Sequence, residues 1–293
     1  MLWPVLILIA VSSARADAPF VVYGDDNRVD IYESTNPQFV ELSKATAAMI
    51  PNTTLIMNSL GGFGLGGNIL RDLNLCKKER FINQKIAANC SGFLISDKYL
   101  VTAGHCIKTE NDCEKYRWVF DYKMDSENQT SFNIPASSIY SCTKIIAHEL
   151  NDSTKADYAV VELDRAVTDR TPLTFRKSGE LQLNDPLVVI GHPSGLPTKI
   201  ADGANVRSLS FTYFVSNLDT FGGNSGSAVI NTNTLEVEGI LVRGEEDYVK
   251  PFLRGCLKPK ECKNEKCRGE DVTRITIIEA LKSLPPEEVI SKN

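Results

Sequence analysis

The chain has 293 residues, enough for one large domain or two compact ones. Hydrophobic residues make up 42% and charged residues 24%, which excludes wholesale disorder. With 32 basic against 37 acidic residues the net charge is −5, so the chain lacks the basic footprint of a nucleic-acid binder, and electrostatic steering is weak.

Leu2 to Val11 is almost wholly apolar, and Ala14-Arg15-Ala16 follows as a small-x-small cleavage pattern. The run is too short to span a bilayer as a helix, although no basic residue precedes it. Residues 1–16 are therefore expected to be a cleaved signal peptide. The mature chain would begin near Asp17 and be secreted/extracellular, with no membrane association. Residues 17–60 are expected to form an N-terminal segment, part of which could serve as a propeptide. The main domain would cover 61–293, starting with a flexible Gly-rich loop, Gly61 to Gly67.

Short apolar strands separated by turn signals then follow: Ser91 to Ile95, Tyr99 to Ala103, Trp118 to Tyr122 and Ala159 to Leu163. After a divide at about 164–185 come Leu187 to Gly191, Ser227 to Asn231 and Val237 to Val242. Such spacing predicts an all-β barrel or sandwich. Near the end, Asp271 or Thr273 could cap a helix over about 271–284. Its apolar residues would be Ile275, Ile278, Ala280, Leu281 and Leu284, and Pro285-Pro286 would stop it. Pro285 to Asn293 reads as a frayed tail.

The eight cysteines are Cys76, Cys90, Cys106, Cys113, Cys142, Cys256, Cys262 and Cys267. An even number behind a signal peptide reads as disulfides. The trio Cys256, Cys262 and Cys267 could instead suggest a metal, but it lacks paired C-x-x-C spacing and a nearby histidine. No metal and no cofactor are expected. The run Gly244-Glu245-Glu246-Asp247 could offer oxygen ligands to calcium, but reads first as a solvated acidic loop. Four glycosylation sequons occur, at Asn52, Asn89, Asn128 and Asn151.

Three segments carry chemistry together: Thr102-Ala103-Gly104-His105-Cys106, Asp157-Tyr158-Ala159-Val160-Val161-Glu162-Leu163 and Gly222-Gly223-Asn224-Ser225-Gly226-Ser227. A serine hydroxyl is a poor nucleophile at neutral pH and needs a base. Histidine suits that role, because its ordinary pKa lies near operating pH. A buried carboxylate on the far nitrogen fixes the tautomer and stabilises the imidazolium. Glycines beside the serine let backbone amides face a developing oxyanion. This reading makes His105, Asp157 and Ser225 the catalytic set and the amides of Gly223 and Ser225 the oxyanion donors. His148 and His192 have no such surroundings and read as structural.

The three segments resemble the histidine, aspartate and serine boxes of the chymotrypsin-like serine peptidases, usually T-A-A-H-C, D-I-A-L and G-D-S-G-G. Their order is the family's, and the likeness runs from about residue 85 to 245. The resemblance implies two six-stranded antiparallel β-barrels, a C-terminal helix, and a serine endopeptidase forming an acyl-enzyme. Its partner would be a protein or peptide substrate, acted on by a monomer. Cys90-Ser91-Gly92-Phe93-Leu94-Ile95 is similar to the family's C-G-G-S-L-I strand, which implies a Cys90–Cys106 bridge. Its 15-residue loop would contribute roughly 3 kcal/mol in the chain-entropy model. Cys113 with Cys142 is a further expected pair.

Asn224 stands where trypsin has an aspartate that captures the new amino terminus, so activation should differ. The G-N-S-G-S form is similar to the glutamyl endopeptidase branch, and Val21 to Arg28 resembles that branch's mature start. The implied substrate-binding residues are Asp219, Thr220, Val242, Arg243 and Gly244. Asp219, six residues before Ser225, points to cleavage after Lys or Arg. Leu241, where glutamyl endopeptidases carry a histidine, counts against acidic specificity. Arg243 could pair with Asp219 and cancel its charge. The other readings are an inactive secreted binding module on the same fold and an α/β-hydrolase esterase. Ser227, in place of the last glycine of G-x-S-x-G, and the order of the three residues oppose the esterase.

Overall fold

A computed structural model describes residues 22–59, 61–251 and 255–284. The expected signal peptide and the tail from Pro285 lie outside the described residues.

The first sheet has seven antiparallel strands: β1 (Thr46–Pro51), β2 (Cys90–Leu94), β3 (Tyr99–Thr102), β4 (Tyr116–Val119), β5 (Ile139–Tyr140), β6 (Cys142–Leu150) and β7 (Asp157–Leu163). Their spatial order is β5-β4-β1-β2-β3-β7-β6. The two edge strands, β5 and β6, are separated along the chain only by Ser141, so one bent segment brings the edges together and curls the sheet. Phe93, Leu94, Leu100, Val101 and Val160 fill its interior with no exposure, as expected for β-branched and large apolar residues on a pleated face. In β7, Tyr158 and Glu162 are half-buried while Ala159, Val160, Val161 and Leu163 are fully buried.

The second sheet contains β8 (Pro186–Gly191), β9 (Lys199–Leu209), β10 (Tyr213–Ser216), β11 (Ala228–Asn231), β12 (Val237–Arg243) and β13 (Glu270–Arg274). They run in the order β8-β11-β12-β13-β10-β9, and β8 pairs with β9 to close a six-stranded barrel. Closure removes the sheet's edges. Leu187, Val229, Phe214, Leu241 and Val272 fill the barrel. Segment 164–185 links the two sheets, and one apolar cluster, including Val188, Ile190, Ile230 and Ile240, joins their cores.

Two boundaries differ from the sequence reading. The framework begins well before residue 61. Strand β1 sits between β2 and β4 in the first sheet, and Arg28–Asp30 pairs with β9 of the second. The apolar alternation of Thr46–Pro51 is weak because every one of these residues except Pro51 is buried. The expected C-terminal helix over 271–284 is absent. Asp271–Arg274 belong to β13, a central strand between β10 and β12. Two short 3-10 turns follow, Ile275–Ile277 and Glu279–Lys282. The β-branched run Val272, Thr273, Ile275, Thr276, Ile277 and Ile278 favours extended backbone. The buried Ile275, Ile278 and Leu281 recur every third residue, which is the 3-10 period rather than the α period.

The bridges Cys90–Cys106 and Cys113–Cys142 are formed, together with Cys76–Cys256 and Cys262–Cys267. No described helix is long and apolar enough to cross a membrane.

Candidate active site

His105 and Asp157 are joined twice. The Asp157 carboxylate accepts the His105 backbone amide at 3.0 Å and lies 2.8 Å from ring Nδ1. Strand pairing produces this. Strand β7 lies between β3 and β6, with Ala159 opposite Thr102, so the first residue of β7 meets the turn that follows β3. Asp157 is 1% exposed while the ring of His105 stays reachable. The turn runs so close to its neighbours that Gly104 admits no side chain. A Cβ there would lie 2.3 Å from the Glu149 carbonyl oxygen and 2.8 Å from that of Tyr158. This explains the Gly in T-A-G-H-C.

Ser225 follows the Gly222-Gly223-Asn224 turn and precedes β11. Its carbonyl accepts the Ser91 amide at 2.8 Å, and Cys106 Sγ lies 3.7 Å from the same oxygen. Ser91 in β2 also donates its hydroxyl to the Gly223 carbonyl at 2.8 Å and accepts the His192 amide at 3.0 Å. The serine turn therefore hangs on the strand whose Cys90 is bonded to the residue after His105. Gly223 (φ +95°) and Gly226 (φ +90°) adopt backbone angles open chiefly to glycine. Among the described residues, neither the Gly223 nor the Ser225 amide has a protein acceptor.

The expected substrate-binding residues divide. Asp219 is buried, and its carboxylate accepts the amides of Tyr23 at 2.7 Å and Asn27 at 2.8 Å. Burial pushes its pKa up to about 7 despite those donors. It thus anchors the N-terminal segment. Arg243 does not pair with Asp219. It reaches Asp157 and Asp271 instead, at 3.5 and 3.2 Å. Thr220 donates its hydroxyl to Glu270 at 2.7 Å. Val242 is buried, and a Cβ on Gly244 would lie 1.8 Å from a Glu270 carboxylate oxygen.

Glu270 is the residue that the sequence reading missed. It is fully buried at the start of β13, touches Thr220 and Gly244, and accepts the Tyr23 hydroxyl at 3.3 Å. Burial holds its carboxyl well above the usual range. No motif marks it; only the register of β13 brings it here. The acidic run also differs from a solvated loop. Asp247 accepts the Gly222 amide at 2.9 Å, and burial raises its pKa to about 7. Glu245 pairs with Lys260 at 2.8 Å. The other histidines stay outside the set. His148 contacts the Gly104 carbonyl at 3.0 Å. His192 is fully buried, stacks on Tyr122 and is pushed down to about 3 by burial, so it stays neutral near pH 7. The sulfurs of Cys90 and Cys106 lie near the His105 ring, but their disulfide leaves no thiolate for a metal.

A closed barrel beside a curled sheet, with the histidine, aspartate and serine boxes gathered around β2, defines a chymotrypsin-like fold. Residues 90–240 match the family model described as trypsin-like peptidase domain. That is more than half of the 293 residues, and the chain belongs to the trypsin-like peptidase family. Among solved structures it is similar to the Vibrio cholerae VesB protease, with 14% identity and a TM-score of 0.52, over 88% of this chain and 66% of that one. A structure of a Glu endopeptidase in complex with MPD aligns over 89% of this chain and 98% of that one, with 16% identity and a TM-score of 0.49. No curated protein sequence matches significantly.

Proposed function

We propose that the protein is a secreted serine endopeptidase whose triad is Ser225, His105 and Asp157. The observation that carries this is the doubly bonded His105–Asp157 pair beside a serine turn hung from the same strand and disulfide. Ser225 Oγ attacks the scissile carbonyl carbon and its proton passes to His105 Nε2. The Nδ1 proton stays on the imidazolium, held by Asp157. The carbonyl oxygen becomes an oxyanion facing the amides of Gly223 and Ser225, whose lack of protein acceptors suits that role. Collapse breaks the C–N bond, and the leaving amine takes the Nε2 proton. Water, deprotonated by the same base, then releases the acyl group as a carboxylate and restores Ser225.

The buried carboxylate of Glu270, which lies against Thr220 and Gly244, favours substrates with a basic side chain at the scissile bond. It has no ion-pair partner among the described residues, and a cation brought beside it would favour its ionised form. Four disulfides fit an oxidising destination. The test is covalent labelling of the purified protein by a fluorophosphonate. Ser225 should be modified, and Ser225→Ala should be silent. A folded protein left unmodified by serine-directed probes would end this reading.

A further inference from the structure

Two buried carboxylates, Asp157 of β7 and Asp271 of β13, are each 1% exposed. They come from different sheets, and the Arg243 guanidinium lies between them. Its Nη1 is 3.5 Å from Asp157 Oδ2, the oxygen that meets the His105 ring. Its Nε donates to Asp271 Oδ2 at 3.2 Å. Its Nη2 donates to the Lys155 carbonyl at 2.8 Å, two residues before Asp157. Lys155 has a left-handed backbone (φ +62°), a conformation that a non-glycine residue keeps only when its surroundings hold it. Register supplies the geometry, because β12 and β13 pair Arg243 opposite Asp271. Arg268 makes a further ion pair with Asp271 from the exposed side.

Two buried carboxylates near each other repel, and each is costly without a cation. A guanidinium spreads its donors over a planar fork that can reach acceptors set well apart, whereas an ammonium carries all its donors on one atom. Arg243 therefore compensates Asp157 and also pins the loop that delivers it.

We propose that Arg243 is a positioning residue of the triad, bridging Asp157 to Asp271 and holding the Asp157 oxygen that receives the His105 ring. This rests on the serine peptidase reading above. The residue was expected in the substrate pocket, but its donors face the catalytic carboxylate instead.

The test compares the intact chain with Arg243→Ala, Arg243→Lys and Asp271→Asn. It measures the rate of fluorophosphonate labelling at Ser225, and kcat and KM on a peptide substrate. Labelling reads nucleophile activation without a bound peptide. Arg243→Ala should slow labelling and kcat by about a hundredfold, within the range for loss of one element of transition-state stabilisation, with KM moved less than about threefold. Arg243→Lys should recover only part, because an ammonium gathers its donors on one atom and cannot reproduce the spread of the guanidinium fork. Guanidinium chloride at non-denaturing concentration should restore part of the labelling rate of Arg243→Ala and leave the intact chain unchanged. Asp271→Asn, which keeps shape, should show a smaller loss of the same kind and serves if Arg243→Ala does not fold. A rise in KM with kcat and labelling unchanged would place Arg243 in substrate binding and overturn the proposal. Equal labelling in all variants would do the same. An intact chain that never labels would instead remove the peptidase reading, and this proposal with it.

Discussion

The Ser225 carbonyl accepts the Ser91 amide at 2.8 Å, and this contact ties the serine turn of the second sheet to a strand of the first. Ser91 does more than hold Ser225. Its hydroxyl joins the Gly223 carbonyl to the His192 amide, so one buried side chain braces the turn that carries both proposed oxyanion donors. The next residue along the bridge is Cys106, bonded to Cys90 and adjacent to His105. The proposed catalytic groups are thus aligned through β2 rather than through either loop alone.

Replacing Ser91 with Ala tests this brace. The buried His192 amide and Gly223 carbonyl would each lose a partner, at roughly 1–3 kcal/mol for each unsatisfied group. We expect a denaturant midpoint lower by an amount in that range. A kcat reduced about tenfold or more should accompany it, because the proposed oxyanion donors would lose their alignment. Unchanged kcat in a destabilised variant would confine Ser91 to a structural role.

Gly104→Ala probes the histidine turn. The usual family box carries alanine here, yet this chain brings the Glu149 carbonyl to 2.3 Å from where the Cβ would sit. Backbone must move, and overpacking of this kind costs typically 1–3 kcal/mol. His105 is the adjacent residue, so activity should fall together with the melting temperature. A stable, fully active variant would mean that the Glu149 strand yields easily.

The barrel-and-curled-sheet plan, and the boxes on which the proposed triad rests, were legible because their signals are local. His105, Asp157 and Ser225 each sit in a short box whose flanking residues have their own physical reason to be there. Glu270, Asp271 and Arg243 were not legible in the same way. Their meeting depends on the register of β13 against β12, and a one-residue slip would aim each side chain the opposite way. The terminal segment misled for a related reason. Ile275, Ile278 and Leu281 fit a helix by apolarity, but the preceding β-branched residues complete a barrel, and a tertiary slot outweighs local preference. Asp219 was expected at the base of a substrate pocket, but its carboxylate faces backbone amides of a segment nearly two hundred residues earlier.

Asp219 and Asp247 each contribute a pH dependence of known sign, opposed in part by His192, whose lowered pKa favours the folded state as pH rises toward 6.5. Both carboxyls are raised by burial to about 7 from an ordinary value of 3.8. The folded state therefore binds more protons than the unfolded chain between these values, and stability falls as pH rises through that window. Above about 7 both states are ionised and the decline ends. Each group contributes at most about 4 kcal/mol across the window, by the conversion of a three-unit shift. Urea unfolding at pH 4.5 and 7.5 should show the intact chain weaker at the higher pH. Asp247→Asn, which keeps an acceptor for the Gly222 amide, should flatten part of that slope. Identical slopes in the two proteins would show that Asp247 titrates normally.

The last prediction concerns specificity. Glu270 lies against Gly244 and Thr220, two residues of the expected substrate-binding set, and carries no ion-pair partner among the described residues. Burial raises the pKa of its carboxyl well above the usual range. A lysine or arginine side chain brought beside it would favour its ionised form. Glu270→Gln preserves the volume and an acceptor for Thr220 but removes this response. We expect kcat/KM for peptides with a basic residue at the scissile bond to drop by about tenfold to a hundredfold. This corresponds to the roughly 1.5–3 kcal/mol carried by a hydrogen bond to a charged group. Peptides with an uncharged residue there should change little, and Ser225 labelling should be retained. The measurement is a matched peptide series on both proteins. Parallel losses for every peptide would assign Glu270 to holding Tyr23 and Thr220 in place, and basic selectivity would have to come from another acid.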